Sequence, residues 1–439
     1  MENEQIKFLS LLWMGFSEEF FKEKIGSGSE FKKLEQDGIV IKRKYLYELS
    51  NSEEMYIKIK KDEKEDFLND IINNYYLTMI NDERRFNLNS IIDNLLLYLQ
   101  LSSAYYELEK YDLAIENILK VAKKMVYWGM KNELKSFLGK FDNVQINLKN
   151  RRWIEYLLAF SDVIIGYNPK IDKQKIEIIL TTYEEKDELG FEIRNLNAIY
   201  TRKYKKDIDL AIKIHEENIG IMSELLIGNK EENLNIHIGR NYENLSLCYK
   251  VLGDIDSAIK NIEIAEQYIE HSNDKYEICK FYCNFLNIIM NTNKHEKMFM
   301  RYSELSLNIL KEFNYPDLLR NIQNLFADYF LKKCNSIDEY VRLKIDVFEL
   351  DSMLYKEFFV MDFIGVLNTL SKEFNRIIIK NTEELDVLMT YLNENGFLNE
   401  SYIIECIKCK IKKERYDTIF DKIENEGLKK IFKLKFESI

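Results

Sequence analysis

Leu245-Ser246-Leu247-Cys248-Tyr249, followed by Ala258-Ile259 and Ile262, is a pattern the chain uses twice. Leu101-Ser102-Ser103-Ala104-Tyr105, followed by Ala114-Ile115 and Ile118, has the same internal spacing. Each copy describes two short helices packed antiparallel, with Ser or Ala wherever the backbones must approach closely. Such a unit cannot bury its apolar face alone, so it stacks on further copies of itself. A stack of this kind is a scaffold with a concave groove.

Other stretches carry weaker copies. Asp207-Ile208-Asp209-Leu210-Ala211-Ile212 echoes Asp254-Ile255-Asp256-Ser257-Ala258-Ile259. Residues 151–167 and 171–189 form a candidate pair broken at Asn168-Pro169. Residues 295–313 stop at Asn314-Tyr315-Pro316-Asp317, and 318–333 with 337–355 form a further pair. The pattern Leu245, Ser246, Tyr249, Gly253, Ala258, Ile262 and Ala265, with Leu101, Ser102, Tyr105, Ala114 and Ile118, resembles the tetratricopeptide repeat. The resemblance implies an all-α solenoid over residues 91–356 whose first helices line a concave, partner-binding side. Ala211 and Ala258 lie farther apart than the regular period of about 34 residues, and 208–227 is long for such a helix. Long, irregular repeat helices resemble those of peptide-sensing bacterial regulators.

The first fifty residues differ. Residues 6–13 read as a first helix, and Ser17-Glu18-Glu19 starts a second with a cap and acids suited to its positive end. Gly26-Ser27-Gly28-Ser29 breaks that helix, and Ser29 is a candidate cap for a third containing Phe31 and Leu34. Ile39-Val40-Ile41 and Tyr45 to Leu49 alternate around Lys42-Arg43-Lys44, as in a short hairpin. Three helices and a hairpin resemble a winged helix-turn-helix. The expected organisation is therefore a winged-helix-like domain at 1–55, a polar helical connector at 56–90, the repeats at 91–356 and a helical cap at 357–439.

Composition agrees with a helical scaffold. The 439 residues include only two prolines and fifteen glycines, too few breakers for a strand-rich fold. Tyr and Phe dominate the aromatics and suit the gaps between helices. The net charge of −11 argues against binding nucleic acid or anionic membrane with the whole surface. No long uncharged apolar run reads as a membrane span. The acidic start Met1-Glu2-Asn3-Glu4 is unlike a signal peptide, so we read the chain as cytoplasmic. Abundant Lys, Asn and Ile point to an AT-rich bacterial or phage genome. The six cysteines, at 248, 279, 283, 334, 406 and 409, fall in apparent helices and read as small core residues in a reducing compartment.

The search for chemistry yields no catalytic set. Gly26-Ser27-Gly28-Ser29 lacks the lysine of a phosphate loop. His215, His237, His271 and His295 have no metal-ligand spacing and read as surface or partly buried helix residues. We read the chain as non-enzymatic, with no catalytic residue, no metal ligand and no cofactor. The groove is the better candidate. Helical geometry turns Arg240, Glu243, Asn244, Leu247 and Lys250 toward it, opposite Leu245 and Tyr249. Arg194, Asn197 and Arg202 repeat that chemistry one unit earlier. Together they suit the carboxylate or backbone amides of an extended peptide or protein partner. In the head, Lys32, Lys33, Lys42, Arg43 and Lys44 are candidate DNA contacts. Eight cations against nine acids over residues 1–50 leave no strong basic stripe there. The leading reading is a recognition scaffold acting as a sensor or regulator. Its rivals are a winged-helix transcriptional regulator and a component of a stress or anti-phage defence complex; the chain also resembles the repeat half of signalling ATPases. Oligomerisation is left open.

Overall fold

The computed structural model describes residues 4–12, 16, 18–42, 47–50, 59–81, 91–164, 171–228, 232–270, 272, 274–290, 296–313, 315–334, 336–354, 356–372 and 383–436. Nearly all are helical, and among them strands are confined to β1 (Val40–Lys42) and β2 (Tyr47–Leu49). The two strands pair antiparallel, Val40 opposite Leu49. The chain is an all-α, tetratricopeptide-like solenoid. It divides into two compact units, Met1–Leu196 and Asn197–Ile439.

The first unit begins with a 3₁₀ segment (Glu4–Leu11), α1 (Glu18–Lys24) and α2 (Gly28–Gln36). Ser27, rather than Ser29, caps α2. Glu30 stands three residues after Ser27 and returns a bond to its backbone N–H, which completes a capping box. Phe16, Phe20, Phe21, Phe31, Val40 and Leu49 are buried in one core with Leu68, Ile71 and Tyr76 of the following helical segment. That segment is α3 (Lys61–Ile71), which passes through a π turn (Ile72–Tyr76) into Leu77–Asn81. The same core takes Leu101 and Ala104 of α4 (Ile91–Glu107). The rest of the unit is α5 (Tyr111–Leu119), α6 (Ala122–Tyr127), α7 (Lys131–Gly139), α8 (Leu148–Val163), α9 (Lys173–Thr181) and α10 (Glu188–Tyr200). The unit boundary falls within α10.

The second unit continues with α11 (Ile208–Gly228), α12 (Glu232–Leu252), α13 (Ile255–Ile269), α14 (Lys275–Ile289), α15 (Glu296–Glu312), α16 (Pro316–Tyr329) and α17 (Ile337–Leu354). It ends with α18 (Lys356–Lys372), α19 (Glu383–Glu394), α20 (Leu398–Lys412) and α21 (Glu426–Phe436). Helices adjacent in sequence pack on each other, most extensively α12 on α13.

The small residues sit where their spacing predicts. Ser102, Ser246, Ala114, Ala211 and Ala258 are all fully buried. The turn before each such alanine is also shared. Glu109, Lys206 and Gly253, each five residues before its alanine, have φ of 60°, 61° and 80°. One left-handed residue per turn is a repeat-level feature, cheap at Gly253 and costing about 1–2 kcal/mol at the other two. The longer period comes from helix length, since α11 (Ile208–Gly228) and α12 (Glu232–Leu252) are 21 residues each. Two first helices end in π turns, Thr201–Lys205 after α10 and Phe330–Cys334 after α16. A π turn widens the helix end and takes up an extra residue.

Candidate functional site

The polar face of the first helices in the second unit is the candidate site. Several of its members are tied to the next first helix. On α12, Arg240 reaches Glu277 of α14 through Nε (3.0 Å to Oε2) and Nη2 (2.9 Å to Oε1). Glu243 accepts from Asn284 Nδ2. Lys250 Nζ donates to the Asn287 carbonyl and to its Oδ1, both at 2.7 Å. On α14, Tyr276 donates to Asp317 of α16 at 2.5 Å. Upstream, Arg202 Nη1 contacts the Asn244 carbonyl at 3.5 Å. These links join residues 37 to 42 apart, which is one structural repeat. The face is therefore a ladder of hydrogen bonds across stacked helices.

Burial sets the electrostatics of the ladder. Glu243 is buried, which pushes its carboxyl above the usual carboxylate range against the pull of Lys280 and the Asn284 bond. Burial, aided by the nearby Lys332 charge, lowers Lys250 to about 8. Burial raises Asp317 to about 6, opposed by the Tyr276 bond. The carboxamides keep spare capacity. Asn284 spends its amide on Glu243, and Asn287 spends its oxygen on Lys250. Among the described residues, Asn284 Oδ1 and Asn287 Nδ2 make no hydrogen bond within the chain. An acceptor and a donor thus stand three residues apart on one helix face.

The other candidates distribute differently. Asn244 is half-buried, and its amide returns to the Arg240 carbonyl. Asn197 is half-buried on α10. Arg194 serves the loop before its own helix, with Nη2 bonded to the Glu184 (3.2 Å) and Glu185 (2.8 Å) carbonyls. In the head, Lys32 and Lys33 of α2 and Lys42 of β1 are exposed. Lys32 and Lys42 both act on Glu18, whose carboxyl is lowered first by its Lys22 bond. Lys42 Nζ itself lies 5.8 Å from the centroid of the Tyr47 ring. Arg43 and Lys44 lie outside the described residues, as do His271 and His295.

Two histidines correct the expected surface placement. His215 is fully buried and His237 nearly so. Burial lowers His215 to about 4, and its Nδ1 pairs with Asn241 Oδ1 at 2.9 Å. It lies between α11 and α12 as a neutral core group. Cys248, Cys279, Cys283 and Cys406 are buried as expected, Cys409 is half-buried, and Cys334 is exposed.

Sequence reading missed Gly239. A Cβ there would come within 2.6 Å of Ile269 Cγ1 and 3.2 Å of Tyr268 Cβ. This glycine lets α12 press against α13. A glycine inside an otherwise regular helix with no capping role is the signal that marks it.

No protein-family model matches this chain, and a search of curated proteins finds no relative. Among solved structures, the fold is similar to a signal-transduction ATPase with numerous domains from Pyrococcus horikoshii that carries a tetratricopeptide repeat sensor. The TM-score is 0.54 at 12% identity, covering all of this chain and 65% of that one. The chain therefore spans about two thirds of that protein's length. A weaker match to yeast Tom70 has a TM-score of 0.23 at 13% identity, covering 86% of this chain and 94% of that one. No helix among the described residues is long and apolar enough to cross a membrane.

Proposed function

We propose that the chain is a non-enzymatic recognition scaffold whose first-helix face in the second unit binds an extended peptide or protein segment. The supporting observation is the oriented pair on α14. Asn284 offers an acceptor and Asn287 a donor, each held by a bond from α12. A peptide backbone presents alternating N–H and C=O groups, and fixed carboxamides satisfy both without prior ordering cost. The likeness to an ATPase with a repeat sensor supports a sensing role, with binding felt along the ladder of linked helices. Selection of a random dodecapeptide phage library on the purified protein tests this. Peptides recovered on wild type should bind Asn287→Ala about five- to tenfold more weakly, the worth of one net hydrogen bond. Equal enrichment on wild type and on the double variant Asn284→Ala/Asn287→Ala would refute the assignment of this face.

A second reading concerns DNA contact through the head. Its support is that Lys32 and Lys33 of α2 and Lys42 of β1 are exposed, and the charges of Lys32 and Lys42 both act on Glu18. An electrophoretic shift at low salt decides it. Replacing Lys32, Lys33 and Lys42 by Ala should weaken any shift and flatten its salt dependence. Absence of a wild-type shift would leave the head as a packing element of the first unit.

A further inference from the structure

The second unit holds a buried ionic junction that the binding face does not use. Arg320 of α16 donates from Nε to Asp351 Oδ1 of α17 at 2.5 Å and from Nη2 to Asp362 Oδ2 of α18 at 2.6 Å. One guanidinium thus clamps the last repeat pair to the first helix of the C-terminal region. Asn324 adds a 3.0 Å bond to Asp362 Oδ2. Asp351 is fully buried, and its Oδ2 has no donor. Asp351 and Asp362 meet the same edge of the guanidinium, at Nε and Nη2, which brings the two carboxyl groups side by side. Two ionised carboxylates cannot bond to each other, so this contact is favourable only with a proton between them.

One further cation bears on the pair: burial lowers Lys344, and Asp328, Asp362 and Asp351 pull it back up. Lys344 of α17 donates to Asn324 Oδ1 at 2.6 Å and lies 3.9 Å from Asp328. Lys332, in the π turn after α16, sits 3.6 Å from Asp328. Tyr391 of α19 faces Asp351 and Glu349, and burial holds its phenol neutral, at about 12. Tyr340 lies near Asp328 and Asp362 and is also held neutral by burial.

We propose that Asp351 carries a proton directed at Asp362 beside Arg320, and that losing it loosens α18 from α16 and α17, making this junction a pH-responsive clamp. Burial, partly countered by Arg320 and reinforced by Asp362, raises the Asp351 carboxyl to about 7, so the release falls near neutral pH. The direction follows from linkage. The closed junction holds a proton that the open one releases, so closure weakens as pH rises from the ordinary aspartate range to about 7 and is then flat.

Hydrogen–deuterium exchange of α18 amides in the full chain, corrected for intrinsic exchange rates, tests the clamp. Between pH 5 and 7 the wild-type opening constant should rise by up to about tenfold per pH unit, the limit for one linked proton. Asp351→Asn, a permanently neutral donor to Asp362, should remove that slope. If Asp351→Asn does not fold, Asp362→Asn provides the same test from the other carboxyl. A flat wild-type profile, or an equal slope in the variant that folds, overturns the proposal.

Discussion

Replacing Arg240 by Ala is the most direct test of the ladder. Arg240 and Glu277 are joined by two bonds, and their side chains are only 19% and 12% exposed. Removing the guanidinium leaves Glu277 mostly buried, with Lys280 at 3.5 Å beside it. Breaking a fully buried pair costs about 3–5 kcal/mol, and an exposed pair is worth about 0–1 kcal/mol. This pair lies between those limits, and Lys280 recovers part of the loss. The expected destabilisation is about 1.5–2.5 kcal/mol. It should appear as a lower urea midpoint and as local opening of α12 and α14 raised by about tenfold or more. Arg240→Met, Glu277→Gln and the double variant complete a cycle whose coupling should reach about 1–2 kcal/mol. Stability of Arg240→Ala within about 0.5 kcal/mol of wild type, the usual range for surface substitutions, would refute the claim that these links hold the stack.

Two further outcomes follow from single positions. Gly190→Ala would set a Cβ 2.0 Å from the Glu185 carbonyl oxygen at the start of α10. The start of that helix must shift, at a cost of about 2–3 kcal/mol measured by urea denaturation; an unchanged midpoint would contradict the packing there. His215 is held neutral by burial, at about 4 against an ordinary 6.5. The unfolded chain binds its proton first as pH falls, so its contribution is complete above 6.5 and lost on descending toward 4. The loss is on the order of 3 kcal/mol. His215→Asn should remove one proton from the acid slope of stability between pH 6.5 and 4; an unchanged slope would mean that the imidazole is solvated.

The repeat architecture was legible because its determinants are local. Ser102, Ser246, Ala114, Ala211 and Ala258 mark close backbone approach within one helix pair, and short-range spacing records that directly. The scarcity of proline and glycine and the hairpin near residues 39–50 were readable for the same reason. The cap of α2 was half-readable, since both serines were visible but only Ser27 has Glu30 at the matching offset. The polar ladder was not readable. Its bonds join residues about one repeat apart, and which side chain meets which depends on how each pair rotates on the last. The π turns at Thr201–Lys205 and Phe330–Cys334 shift that rotation, and no sequence period announces them. Sequence therefore identified Arg240, Glu243 and Lys250 as polar residues on one face. Only the stacked helices decided that they spend their charges on Glu277, Asn284 and Asn287, because partners that far apart in the chain are chosen by tertiary packing.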